Sequence, residues 1–232
     1  MRGLLDEWVL KKNILVFHPI IHFKGIMDLK IHKLENIHVE APRRDILSRL
    51  KYNFHKTRAD KKTLDLFEKT LGLALSFCEC RGLYRFLDID RKEGKRIELS
   101  DGTVFESASL AKFLKDSSKV VIMASTVGKD ITDETNSLIA KNRASEAVIV
   151  DAAASEIADE VMNQINLVCA NIAKRDGLKL TKMRFSPGYG DLGIENQRQF
   201  FKVLELEKNG FVFTESFMIV PEKSVTAIAG VE

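Results

Sequence analysis

Tyr84-Arg85-Phe86-Leu87-Asp88-Ile89-Asp90, followed by Arg96-Ile97-Glu98-Leu99-Ser100-Asp101-Gly102-Thr103-Val104-Phe105-Glu106, is the stretch whose reading decides the fold class. The first run alternates apolar and polar side chains with the two-residue period of a strand. The second contains Asp101-Gly102, a pair with ready access to positive φ that suits a tight hairpin, so two antiparallel strands are expected there. Downstream, the apolar run from Lys119 to Ser125 suits a central strand covered on both faces.

Working outward, helical patterns surround these strands. Leu64, Phe67, Leu71, Leu75 and Cys78 fall at spacings of three and four, so a buried helix is expected from an acidic cap at Asp60 to about Cys80. Behind Pro42, Ile46, Leu47 and Leu50 share one helical face, and Ser107 starts a short helix through residue 115. Asp130 to Asn142 fits one helix, and Ser145 to Lys174 a long Ala-rich one that buries more than one side and ends at Gly177. Ile31 to Val39 reads as a further strand. From Lys179 the pattern is strand, Gly-rich loop, helix, strand, hairpin and strand up to Val231. Helices gathered around antiparallel hairpins describe an α+β domain. Residues 1–26 differ in texture and are read as an extension, helical or docking, before a single domain over 27–232.

Bulk composition narrows the function classes. Of 232 residues, 45% are hydrophobic and 30% charged, which suits a packed globular protein and not a disordered chain. The net charge is +3, with Lys and Arg interspersed among Asp and Glu, so no basic face for nucleic acid is expected. The apolar run from Ile14 to Phe23 is too short for a bilayer and is broken by His18, Pro19 and His22. Three cysteines cannot all pair within one chain and no secretory signal opens it, so a reducing cytoplasm is the expected setting.

Two stretches carry chemistry. In Arg184-Phe185-Ser186-Pro187-Gly188-Tyr189-Gly190-Asp191-Leu192-Gly193, Arg184 offers a planar fork for a carboxylate and Tyr189 a flat face for a ring or a sulfonium. Glycine there lets a ligand approach the main chain, although the same residues also build simple turns. The second stretch runs from Thr214-Glu215-Ser216-Phe217-Met218 through Pro221 to Thr226-Ala227-Ile228-Ala229-Gly230. Its small residues suit either close approach to a ligand or packing under a helix.

Together the two stretches are informative. Arg-x-x-x-Gly-Tyr at 184–189, then Thr-Glu-Ser-Phe-Met-x-x-Pro at 214–221 and Ser-Val-x-Ala at 224–227, resembles the reactivation domain of vitamin B12-dependent methionine synthase. The likeness is specific over residues 184–230. Val-Asp-Ala-Ala-Ala-Ser-Glu-Ile-Ala-Asp-Glu-Val at 150–161 is also similar to that family, and the stretch at 41–52 to the opening of its stand-alone members. The resemblance implies a domain that binds S-adenosylmethionine and docks over the cobalamin of a partner methionine synthase subunit. In that family cob(I)alamin occasionally oxidises to inactive cob(II)alamin, and reductive methylation repairs it, with an electron from a flavodoxin-like donor. Such a chain would be an accessory subunit without turnover of its own.

By the same resemblance, Arg184 holds the ligand carboxylate, Tyr189 stands beside the methyl-transfer path in a positioning role, and Gly188 permits its loop. Ala229 and Gly230 align with main-chain contacts on the ligand. Asp191, Glu215 and Asp159 are the candidates to pair its ammonium. Where the family continues Pro-Ala-Cys-Pro-Asp after the tyrosine, this chain has Gly190-Asp191-Leu192-Gly193-Ile194. A non-catalytic module that caps a corrinoid protein without binding the methyl donor is the competing reading. An independent methyltransferase ranks lower, because no glycine-rich loop follows a first parallel strand. His18 with His22, and Cys78 with Cys80, have metal-ligand spacing but lack a second half, so no metal site is expected.

Overall fold

The fold is described here from a computed structural model, over residues 27–52 and 60–232. The expected extension at 1–26 and the His18/His22 pair lie outside the described residues. The hairpin series leads the architecture. β1 (His32–Leu34) is followed by α1 (Arg43–Arg49) and α2 (Lys61–Ser76), then by β2 (Arg81–Glu93), β3 (Arg96–Leu99) and β4 (Val104–Glu106). Next come α3 (Ala108–Phe113), β5 (Lys119–Thr126), α4 (Asp130–Ala140) and the long α5 (Ala144–Arg175). The last part carries α6 (Gln197–Leu204), a short hairpin of β6 (Val212–Phe213) and β7 (Ile219–Val220), and β8 (Ser224–Val231).

The main sheet has the order β4-β3-β2-β5-β8, with β1 also on β2, and every pairing is antiparallel. This is the α+β arrangement that the alternation at 84–106 requires. β2 runs longer than expected because it serves two ladders: residues 81–88 pair β5 and residues 89–93 pair β3, the latter with a register irregularity between Ile89 and Arg91. β5 lies between β2 and β8 with a hydrophobic cluster on each face, and its run from Val120 to Ala124 is wholly apolar.

Two hydrophobic clusters occupy the two faces. Tyr84, Phe86, Val121, Met123, Ala227 and Ala229 pack with α2 and α5 on one side. Leu87, Val120, Ile122 and Ile228 pack with Phe105, Phe200 and Phe211 on the other. α5 approaches the sheet closely at Gly82, where a Cβ would lie 2.2 Å from Ile165 Cδ1 and 2.6 Å from the Ala124 carbonyl. Only glycine fits that crossing.

Local signals decide several boundaries. Asp60 caps α2 by accepting from the Thr63 amide, and Ser107 caps α3 by accepting from the Leu110 amide. Gly177 follows α5 with φ 75°. Three expectations need correction. The strand expected over 31–39 ends at Leu34, because Asn36 turns the chain with φ 52°. α2 stops at Ser76, short of Cys80, because the Glu79 amide joins the Val127 carbonyl and the chain enters β2. The strand expected from Lys179 is reduced to two bridges, Leu180 with Val231 and Phe185 with Ile228, and the stretch between them turns on the Thr181 hydroxyl. Among the described residues no helix is long and apolar enough to cross a membrane.

Candidate functional site

α5 carries more than a buried face. Asp151, Ser155, Asp159 and Asn163 are spaced by four and form one polar stripe along it. Three cations from separate segments reach this stripe and its flank. Arg184 donates to Asn163 Oδ1 at 3.0 Å, Arg49 pairs Glu156 at 2.5 Å, and Lys223 pairs Asp151 at 2.6 Å and donates to Ser155 Oγ at 2.9 Å. The stretch leading out of α5 is tied to β8 through the Phe185–Ile228 bridge, and this places Arg184 over the helix.

The electrostatics single out one carboxylate. Desolvation, reinforced by Glu156, holds Asp159 above the ordinary aspartate range, and Arg49 and Arg184 partly oppose this. Partial burial depresses the Arg184 guanidinium, while Asp159 and Glu160 favour its charge. Arg184 and Asp159 are therefore electrostatic neighbours: a fork for an anion beside an acceptor for a cation.

The other two candidate acids stand elsewhere. Asp191 accepts from Ser107 Oγ at 2.5 Å and from the Ala108 and Ser109 amides at 2.7 and 3.0 Å. The Ser107 hydroxyl, then these amides, hold its carboxyl far below the usual range. Asp191 thus caps α3 and pins the loop. Glu215 sits exposed in the turn between β6 and β7, where Thr214 and Ser216 share a hydroxyl hydrogen bond of 2.9 Å.

Between Pro187 and Leu192, both buried, the loop closes on itself: the Gly188 amide donates to the Leu192 carbonyl at 2.7 Å. Gly188 and Gly190 take φ of 92° and 55°, and between them Tyr189 projects with 68% of its surface exposed. At Gly190 a Cβ would meet Ser109 Oγ at 2.9 Å, so the loop also packs on α3.

Ala229 and Gly230 use their main chain within the sheet. Ala229 pairs Val121, while the Gly230 carbonyl accepts from the Thr181 amide and the Gly230 amide donates to Thr181 Oγ1. A Cβ at Gly230 would come within 2.1 Å of Ser117 Oγ, and Ala229 is buried in the cluster that contains α5. Small side chains at these positions serve close packing, Ala229 in the cluster with α5 and Gly230 against the turn after α3. The structure thus brings together Arg184 and Asp159, sets Gly188 and Tyr189 on the loop just beyond, and leaves Asp191, Glu215, Ala229 and Gly230 with other neighbours. Asn163 and Lys223 escaped the motif search; the four-residue spacing on α5 was the signal that could have found Asn163.

The three cysteines are free, with Cys80 and Cys169 buried and Cys78 donating to the Ala74 carbonyl at 3.3 Å. No three His, Cys, Asp or Glu side chains converge as a metal site among the described residues.

No protein-family model matches the sequence, and no curated protein matches it at a significant level. Among solved structures, the chain is similar to the MetH reactivation domain bound to AdoHcy, with a TM-score of 0.64 and 17% identity. The match covers 87% of this chain and 78% of that one. At this identity the likeness concerns architecture, and the conclusion is that this chain has the α+β fold of the methionine synthase reactivation domain.

Proposed function

We propose that this chain binds S-adenosylmethionine as a methyl donor and serves the reductive reactivation of a cobalamin-dependent methionine synthase on which it docks. The observation that carries the reading is the Arg184 guanidinium held on α5 by Asn163, with Asp159 one turn away on the same polar stripe and within its electrostatic reach. The amino-acid end of such a ligand is a zwitterion. A guanidinium fork beside a carboxylate is the donor set it requires, so the residues present fit it. The fold neighbour was crystallised with AdoHcy, the thioether that remains when this donor gives up its methyl.

In this reading Arg184 holds the ligand carboxylate and Asp159 its ammonium. Gly188 sets the loop, Tyr189 presents its ring beside the methyl, and Asp191 acts at one remove by fixing the loop on α3. Ala229 and Gly230 supply the sheet beneath, since their amides are already used. A methyl on a sulfonium is activated in advance, so orientation and exclusion of water suffice. The acceptor is a reduced corrinoid carried by the partner, with a flavodoxin-like protein as electron donor, in a reducing cytoplasm consistent with three free cysteines.

One observation favours a second reading. The loop after Tyr189 closes through Gly188 and Leu192 and commits Asp191 to α3, which suits an interaction module that caps a corrinoid protein without a methyl donor. Calorimetric titration with adenosylmethionine in the presence of the partner, together with Arg184→Ala, separates the two. Binding by the wild type, and loss of reactivation with docking intact in the variant, supports the donor role. Silence at millimolar ligand, or an unaffected variant, favours the module.

A further inference from the structure

Lys223 lies outside every role assigned so far. It stands at the corner before β8, where its carbonyl accepts from the Val127 amide at 3.1 Å, so its main chain already serves the sheet. The side chain does something separate. Only 16% exposed, it carries its ammonium to Asp151 and Ser155 on α5. Ser155 and Asn163 stand two four-residue steps apart on one stripe, about 12 Å at the helical rise. Lys223 and Arg184 therefore hold the two ends of the stretch that has Asp159 at its middle.

We infer that Lys223 is a specificity-determining residue: a fixed second cation that sets the charge of the ligand the α5 stripe accepts. The inference rests on the reading that Arg184 and Asp159 grip the amino-acid end of an adenosyl sulfur compound. Around that grip stand three cations, Arg49, Arg184 and Lys223, and four carboxylates, Asp151, Glu156, Asp159 and Glu160, a net of 3 − 4 = −1. Removing Lys223 makes it −2. A sulfonium carries one positive charge that its thioether lacks, and the two share a skeleton. The effect of Lys223 on the shared amino-acid end cancels between the two ligands, so what remains is repulsion of the sulfonium charge, which narrows the preference for methyl donor over demethylated product. Like charges within such a span and partly shielded from water interact strongly enough to shift an affinity ratio severalfold.

The test measures a ratio. Wild type, Lys223→Met and Lys223→Arg of the full chain are titrated at low ionic strength with adenosylmethionine and with adenosylhomocysteine. The expected result is a sulfonium-to-thioether affinity ratio about fivefold higher in Lys223→Met, shrinking with added salt, and unchanged in Lys223→Arg. Asp151→Asn leaves the lysine charge without its partner and moves the ratio the other way, so the inference stays testable if Lys223→Met does not fold. If both ligands bind but the ratio holds in Lys223→Met and Asp151→Asn, Lys223 is overturned as a specificity residue and the grip on the ligand stands. If neither ligand binds the wild type, both readings fall together.

Discussion

The loop at 184–193 and the strand at 224–231 both use small residues in the motif stretches, but for opposite reasons. In the loop, glycines at positive φ turn the backbone so that Tyr189 projects to solvent, five residues beyond an arginine bonded to Asn163 on α5. In β8, Ala227, Ala229 and Gly230 are buried, and Gly230 leaves no room for a Cβ beside Ser117. A glycine that frees the backbone and a glycine that admits a neighbouring turn look alike in sequence. Only the neighbours tell them apart: the strand glycine is packed shut, while the loop is open to solvent and carries the ligand chemistry in the proposed reading.

Substitutions can break this contrast from either side. The largest effect is expected at Gly230→Val, where overpacking against Ser117 and Leu114 should cost about 3 kcal/mol in denaturant unfolding; a variant as stable as wild type would refute the packing role. Arg184→Ala should do the reverse, weakening ligand binding by about 2 kcal/mol while unfolding stays within roughly 0.5 kcal/mol of wild type. If Arg184→Ala melts early and binds normally, the assignment of chemistry to the loop is inverted.

Smaller effects sharpen the picture. Ser107→Ala removes the α3 cap and one of the donors to Asp191, and should lower stability by about 1 kcal/mol, with faster amide exchange over α3 and the 188–192 loop. Exchange confined to α3 would mean that the loop does not depend on it. The least effect is a pH dependence. Asp159 must be charged to hold the ligand ammonium, and desolvation and Glu156 raise its pKa against the pull of Arg49 and Arg184. Affinity should therefore fall on acidification earlier than for an ordinary aspartate, and Asp159→Asn should bind more weakly without that acid limb. An unchanged limb in Asp159→Asn would assign the titration to another group.

Much of the fold was legible because its signals are local. The alternation at 84–90, the Asp101-Gly102 turn, and the caps at Asp60 and Ser107 depend on neighbours in sequence, and each forms as read. Ile31 to Val39 and the stretch from Lys179 were overread, because β-branched composition does not report where a partner strand ends. Arg184 and Tyr189 were legible as motif residues. The sorting of Asp159 from Asp191 and Glu215 was not, since it depends on which helix the loop folds against. Lys223 was invisible for the same reason: its partners lie on α5, far away in sequence.

The most direct test is a crystal structure of this chain with adenosylhomocysteine. The ligand carboxylate is expected within about 3 Å of the Arg184 guanidinium, drawn from Asn163, and the amine on Asp159. A ligand bound away from α5, or an Arg184 that keeps its bond to Asn163 while the ligand sits elsewhere, would contradict it.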